Sequence, residues 1–401
     1  MLCLLRCARR ARAAAQAAPR CVSDMKAIIN GKIILKDGIV ENKALLFDDK
    51  IIGLADDAAA ADEIIDAQGL YVSPGFVDVH IHGYLGEDAS DGSEDGLRRM
   101  AQGVLQNGVT SFLPTTMTVS WAEIEAAFAV IRRLMPESCT ADFPGAQILG
   151  CHAEGPFINP SKKGAQAAEA ILPPDAKKLL RHKDVVRMVT FAPEMPGGIE
   201  FAQEIKRESD IVLSIGHTNA TYEEAMAAID AGADHMTHTF NAMSALSHRA
   251  PGVVGAAFCS DAYCELIADT FHIHPGLFKL FSKAKSERLV LITDCTRAGG
   301  LEDGEYTLGG QPIFVKGIEC RLQDGTIAGS VLKMNNAVRN FRDHAGVPLH
   351  EAVNCASLYA ARSIGADAAK GSLEAGKDAD IVLMDADCGV RAVFVGGLKK
   401  V

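Results

Sequence analysis

Between residues 74 and 365 the chain repeatedly exchanges short apolar runs for stretches of helical period, and few architectures accommodate that alternation. The apolar runs are 76–82, 109–116, 148–154, 188–194, 212–218, 235–240, 265–269 and 290–294. Between them, Tyr222, Ala225, Met226 and Ile229 fall at spacings of three, four and seven, one face of a helix, and 97–105 and 121–134 follow the same rule. Strands that are apolar throughout are covered on both faces, which implies a parallel sheet under helices. Eight such units predict an α/β fold, a (β/α)8 TIM-like barrel rather than an open sheet. No period of 20–50 residues repeats, so a solenoid is excluded.

The flanks differ. Residues 25–73 carry short β patterns at 27–29, 32–35, 44–47, 50–54 and 63–66, divided by Asn30-Gly31 and Asp37-Gly38 turns. Residues 366–401 answer with 380–383, 389–395 and a Gly396-Gly397 turn. The expectation is a small β-sandwich domain formed by both chain ends, 25–73 and 366–401, around a barrel over 74–365.

Residues 1–24 stand apart, with Arg6, Arg9, Arg10, Arg12 and Arg20 and no acid before Asp24. They read as a transit peptide or, preferably, as a start upstream of Met25, and as a disordered leader outside the fold. A net charge of −11 argues against nucleic acid or an anionic membrane as partner, and no run approaches a membrane span. The 11 cysteines are scattered without CxxC pairs, which fits reduced thiols and a cytoplasmic protein.

The chemistry gathers at strand ends. In Pro74-Gly75-Phe76-Val77-Asp78-Val79-His80-Ile81-His82-Gly83, His80 and His82 are two apart and so point the same way, with Asp78 below them and a glycine where the chain turns. Two imidazoles on one side are natural metal ligands. Other runs end in Glu154, Glu194, His217, His238, Asp269 and Asp294. In a barrel those ends converge on one face, so residues far apart in sequence become neighbours.

These motifs resemble the amidohydrolase superfamily and, within it, the N-acetylglucosamine-6-phosphate deacetylases. The resemblance runs from about Met25 to the C-terminus. Its carriers are the His80-Ile81-His82 stretch, His152-Ala153-Glu154-Gly155-Pro156-Phe157, Ser214-Ile215-Gly216-His217-Thr218, Thr237-His238-Thr239-Phe240-Asn241-Ala242-Met243, Ile267-Ala268-Asp269-Thr270-Phe271-His272, Thr293-Asp294 and Ile327-Ala328-Gly329-Ser330. It implies a metal-dependent hydrolysis of the acetamide of N-acetylglucosamine 6-phosphate to glucosamine 6-phosphate and acetate.

By that resemblance Glu154, His217 and His238 hold a divalent ion, zinc or iron, and His80 and His82 place the chain with members that hold a second. Asp294 is the implied general base and acid toward a metal-activated water. Ala165, Gln166, Asn241, Ala242, Arg249, His272, Ile327, Ala328 and Gly329 are the implied substrate contacts, with Arg249 reaching the site of a neighbouring subunit in a homodimer. Gln166 departs from many relatives, which carry histidine there, and leaves the epimer preference open. His152, His235, His274, Cys151 and Cys295 are read as structural. The alternatives are hydrolysis of N-acetylgalactosamine 6-phosphate, of a cyclic amide or of a dipeptide, and an inactive scaffold of the same fold.

Overall fold

The computed structural model describes residues 25–401, so the leader reading falls outside the described residues. Eight parallel strands form the barrel wall: Phe76–Ile81, Val109–Thr116, a third in two pieces (Gln147–Ile148 and Cys151–Glu154), Val186–Phe191, Val212–Ile215, His235–Met236, Tyr263–Ile267 and Leu289–Ile292. Neighbours in this order pair in parallel register. The seam between the eighth strand and the first is closed by backbone bonds at the C-terminal rim. Asp294 N–H donates to the His80 carbonyl at 2.8 Å, and His82 N–H to the Cys295 carbonyl at 2.9 Å.

Helices cover the outside. Trp121–Ser138 and Tyr222–Asp230 each start on a capping box, Ser120 with Glu123 and Thr221 with Glu224. Between wall and helices, Phe76, Phe112, Phe128, Phe191, Phe278, Phe281 and Phe341 are fully buried. Burying each is worth roughly 1.5–3 kcal/mol.

Both chain ends share one six-stranded sheet, in the order Leu398–Lys399, Val390–Val395, Ile381–Met384, Tyr71–Pro74, Lys32–Leu35 and Gly38–Val40. A four-stranded sheet of Ile51–Ala55, Ala44–Phe47, Lys26–Ile29 and Glu63–Asp66 packs its apolar residues into the same core. The barrel with a β-rich second unit built from both ends is the architecture the sequence implies.

Several strands are shorter than the apolar runs that announce them, for one physical reason. His217, His238 and Asp294 have φ of 48°, 27° and 48°, and each lies just past its strand. Left-handed backbone cannot continue a ladder, and non-glycine residues hold it only where their surroundings over-determine it. A three-stranded meander of Gly304–Leu308, Gln311–Lys316 and Glu319–Leu322 follows the eighth strand and has no counterpart in the sequence reading.

Candidate metal centre

The first strand delivers Asp78, His80 and His82 to the barrel interior, all buried. Past the strand, position 83 is glycine because a Cβ there would run into the Glu87 carbonyl oxygen. The His80 ring donates from Nδ1 to Glu265 at 3.0 Å, and His82 from Nδ1 to the Thr115 carbonyl at 3.1 Å. His217 donates from Nδ1 to the Lys162 carbonyl at 2.8 Å. In the neutral rings that leaves Nε2 as a bare lone pair on all three.

These lone pairs meet carboxylates. Glu154 Oε1 lies 3.1 Å from His217 Nε2, 3.0 Å from His238 Nε2 and 3.4 Å from His80 Nε2. Its Oε2 lies 3.3 Å from His82 Nε2, and Asp294 Oδ1 sits 3.2 Å from the same nitrogen. Among the described residues, three buried groups are close enough to share an ion, two of them being Glu154-His217-His238 and His80-His82-Glu154.

A divalent cation fits this donor set. His80 Nε2 is buried without a hydrogen-bond partner among the described residues and faces Glu154 and Asp294. Lone pairs and carboxylates pointed at one another repel unless a cation or protons stand between them. The titration behaviour says the same. Burial works against a charged His82, yet Asp294 and Glu154 outweigh it and push the ring up to about 10. Burial would raise the Asp294 and Glu154 carboxyls, but the surrounding imidazoles hold both below their ordinary range. The centre demands positive charge.

The other strand-end residues sort themselves. Glu194 does not join the cluster; it clamps loops by accepting from Asn159 Nδ2 at 2.7 Å and from the Asn219 N–H at 2.6 Å. Asp269 holds the His272 ring through Nδ1 at 2.6 Å rather than joining the cluster. His152 is satisfied at both nitrogens, and burial with the neighbouring His80 pulls it down to about 3, which leaves it neutral.

Above the centre opens a cavity of about 360 Å³. His82, Glu154, His217, His238 and Asp294 form its floor, and Ala165, Gln166, Asn241, Ala242, His272, Ile327 and Gly329 its walls. Ala328 is fully buried behind the wall, packed with Met117 and Leu308. Arg249 is exposed in a loop and does not line the cavity of its own chain. The Gln166 amide is turned inward: it donates to Glu154 Oε2 and accepts from the Thr118 N–H at 2.6 Å.

An amidohydrolase family pattern matches residues 71–400. The chain belongs to the amidohydrolase family. It is 42% identical over 330 residues to the N-acetylglucosamine-6-phosphate deacetylase of Bacillus subtilis (strain 168), covering 81% of this chain and 83% of that one. It is 37% identical over 360 residues to the N-acetylgalactosamine-6-phosphate deacetylase of Escherichia coli O157:H7, covering 87% and 94%. The crystal structure of the Pasteurella multocida N-acetylglucosamine-6-phosphate deacetylase aligns with a TM-score of 0.88 at 33% identity, over 94% of this chain and 99% of that one. This amidohydrolase is therefore a hydrolase with a buried histidine and carboxylate centre for a divalent metal.

The sequence reading leaves out several contributors to this amidohydrolase's site, Glu265, Lys162 and Leu308 among them. Glu265 has no exposed surface and touches three histidines, His80 and His235 through their rings and His238 through its N–H. Lys162 lines the cavity, its ammonium 3.1 Å from the Met243 carbonyl. Leu308, at the end of the meander's first strand, closes one side. An acid in the middle of the apolar run Tyr263-Cys264-Glu265-Leu266-Ile267 is the signal that identifies the first.

Proposed function

We propose that this protein hydrolyses the acetamide of N-acetylglucosamine 6-phosphate to glucosamine 6-phosphate and acetate. The observation that carries the reading is the convergence of Glu154, His217, His238, His82 and Asp294 on the floor of one cavity, with His80 buried against Glu154 behind them. A divalent ion held by this set, zinc or iron and one or two per subunit, supplies polarisation of the amide carbonyl and a lowered pKa of water.

Asp294 is the proton carrier. Its carboxyl is held below the ordinary value, so at neutral pH it is a carboxylate able to accept a proton. It takes that proton from the attacking water and gives it to the sugar nitrogen as the C–N bond breaks. The hydroxyl stays with the acyl carbon as acetic acid, which loses its proton to solvent as acetate, and the amine leaves neutral.

The substrate phosphate carries roughly two negative charges near neutrality. Lys162 is the one lysine or arginine among the described residues lining the cavity, and its ammonium keeps donors to spare beyond Met243. His272, held by Asp269, and the Asn241-Ala242 turn stand on the same wall. Arg249 completes the phosphate grip from the partner of a cytoplasmic homodimer; its exposed loop, with Leu246 51% exposed, supports that placement. No helix among the described residues is long and apolar enough to cross a membrane.

The galactosamine epimer is the second reading, supported by the 37% identity to the N-acetylgalactosamine-6-phosphate deacetylase of Escherichia coli O157:H7. The test is acetate release from the 6-phosphates of both N-acetylhexosamines and from the unphosphorylated sugars, with added divalent metal. Turnover of the glucosamine phosphate well above its unphosphorylated form supports the proposal. Equal turnover of both forms removes the phosphate from it.

A further inference from the structure

Below the lone pairs lies a carboxylate whose bonds reach both sets of candidate ligands. Glu265 Oε2 accepts from His80 Nδ1 at 3.0 Å and from the His238 backbone N–H at 2.8 Å. Its Oε1 accepts from His235 Nε2 at 3.2 Å. His80 belongs to the group with His82 and Glu154, and His238 to the group with His217 and Glu154. Glu265 thus holds one member of each.

Glu265, His80 and His152 are themselves close enough to be read as a third ion site. Their hydrogen bonds argue otherwise. His152 donates to the Val79 carbonyl at 3.2 Å and accepts from Thr190 Oγ1 at 2.8 Å, and His80 spends Nδ1 on Glu265. What this layer offers is orientation. A ring that gives its Nδ1 proton to a carboxylate turns a bare, more basic Nε2 toward whatever lies on its other side. On that side, His80 Nε2 faces Glu154 Oε1 at 3.4 Å and Asp294 Oδ1 at 3.5 Å.

Resting on the metal-centre reading above, we propose that Glu265 is a positioning residue that couples the two halves of the centre. It fixes the tautomer of His80 through the ring, and the strand-end turn of His238 through the backbone. A neutral, isosteric Gln keeps an oxygen for the His238 N–H but removes the charge that makes His80 a strong ligand.

The test is metal binding without turnover. Chelator-stripped wild type, Glu265→Gln and Glu265→Asp are titrated calorimetrically with Zn²⁺, and their Co²⁺ absorption spectra are recorded. Circular dichroism of the stripped proteins checks the fold. Glu265→Gln is expected to keep the wild-type dichroism, lose about 10–100-fold in affinity for at least one ion, and change the Co²⁺ spectrum. Glu265→Asp, which retains the charge, is expected to recover part of that loss and keeps the test decisive if the Gln variant does not fold. Wild-type affinity and spectrum in Glu265→Gln, or an Asp variant no better than Gln, overturns the proposal. A wild type that takes up no ion overturns the metal-centre reading itself, a separate result.

Discussion

His217 Nε2 and His238 Nε2 face each other across 3.1 Å, and Glu154 Oε1 lies 3.1 and 3.0 Å from them. The His217 proton sits on Nδ1, against the Lys162 carbonyl. Two nitrogens and a carboxylate oxygen packed this closely, with almost no exposure, require positive charge among them. Chelation is therefore expected to abolish hydrolysis, and a returned divalent ion to restore it. Glu154→Gln is expected to weaken metal binding by at least about 100-fold, read by metal content after dialysis.

Asp294→Asn should separate metal from chemistry. The amide keeps the shape and much of the hydrogen bonding but cannot accept the water proton. Metal content is expected to stay near wild type while kcat falls about 10²–10⁴-fold. Turnover retained in the Asn variant would remove Asp294 from the proton path.

The rim of this centre was legible in sequence because strand periodicity and barrel topology are local rules. His80 and His82 share a side by alternation, and Glu154, His217, His238 and Asp294 meet because parallel strands end on one face. What was not legible depends on contacts made across the barrel. Glu265 sits in mid-strand, and only the folded wall brings His80, 185 positions away, against it. The meander was missed because its strands are half exposed, with Gln311–Lys316 alternating between solvent and core, and so lack a continuous apolar run. The left-handed turns at His217, His238 and Asp294 shorten strands that composition alone would extend.

Lys162 offers a substrate-side test. Removing a charged hydrogen bond to phosphate costs about 1.5–3 kcal/mol, or roughly 10–100-fold in affinity. Lys162→Met is expected to raise KM for the sugar phosphate by that factor and to leave the unphosphorylated sugar unaffected. Steady-state kinetics on both substrates decides it.

Outside the barrel, Lys370 lies buried between Asp378 and Asp380, 2.7 Å from an oxygen of each. Burial alone would neutralise these groups, but the pairing outweighs it: Lys370 titrates above its ordinary 10.5 and Asp378 below its ordinary 3.8. The Asp378 share of stability is present above pH 3.8 and lost as pH falls through its lower folded value. The Lys370 share is present below pH 10.5 and lost as pH rises through its higher one. Lys370→Met, which leaves the buried Asp380 without its ammonium while Asp378 keeps Lys50, is expected to cost about 3–5 kcal/mol at neutral pH. Urea melts across pH should show that loss shrinking at both extremes.

The most direct measurement is anomalous diffraction from crystals of the metal-loaded protein, collected at the edge of the bound metal. The expected peak lies about 2.0–2.2 Å from Glu154, His217 and His238. A map without a peak among these three residues, from protein that releases acetate, would contradict the account.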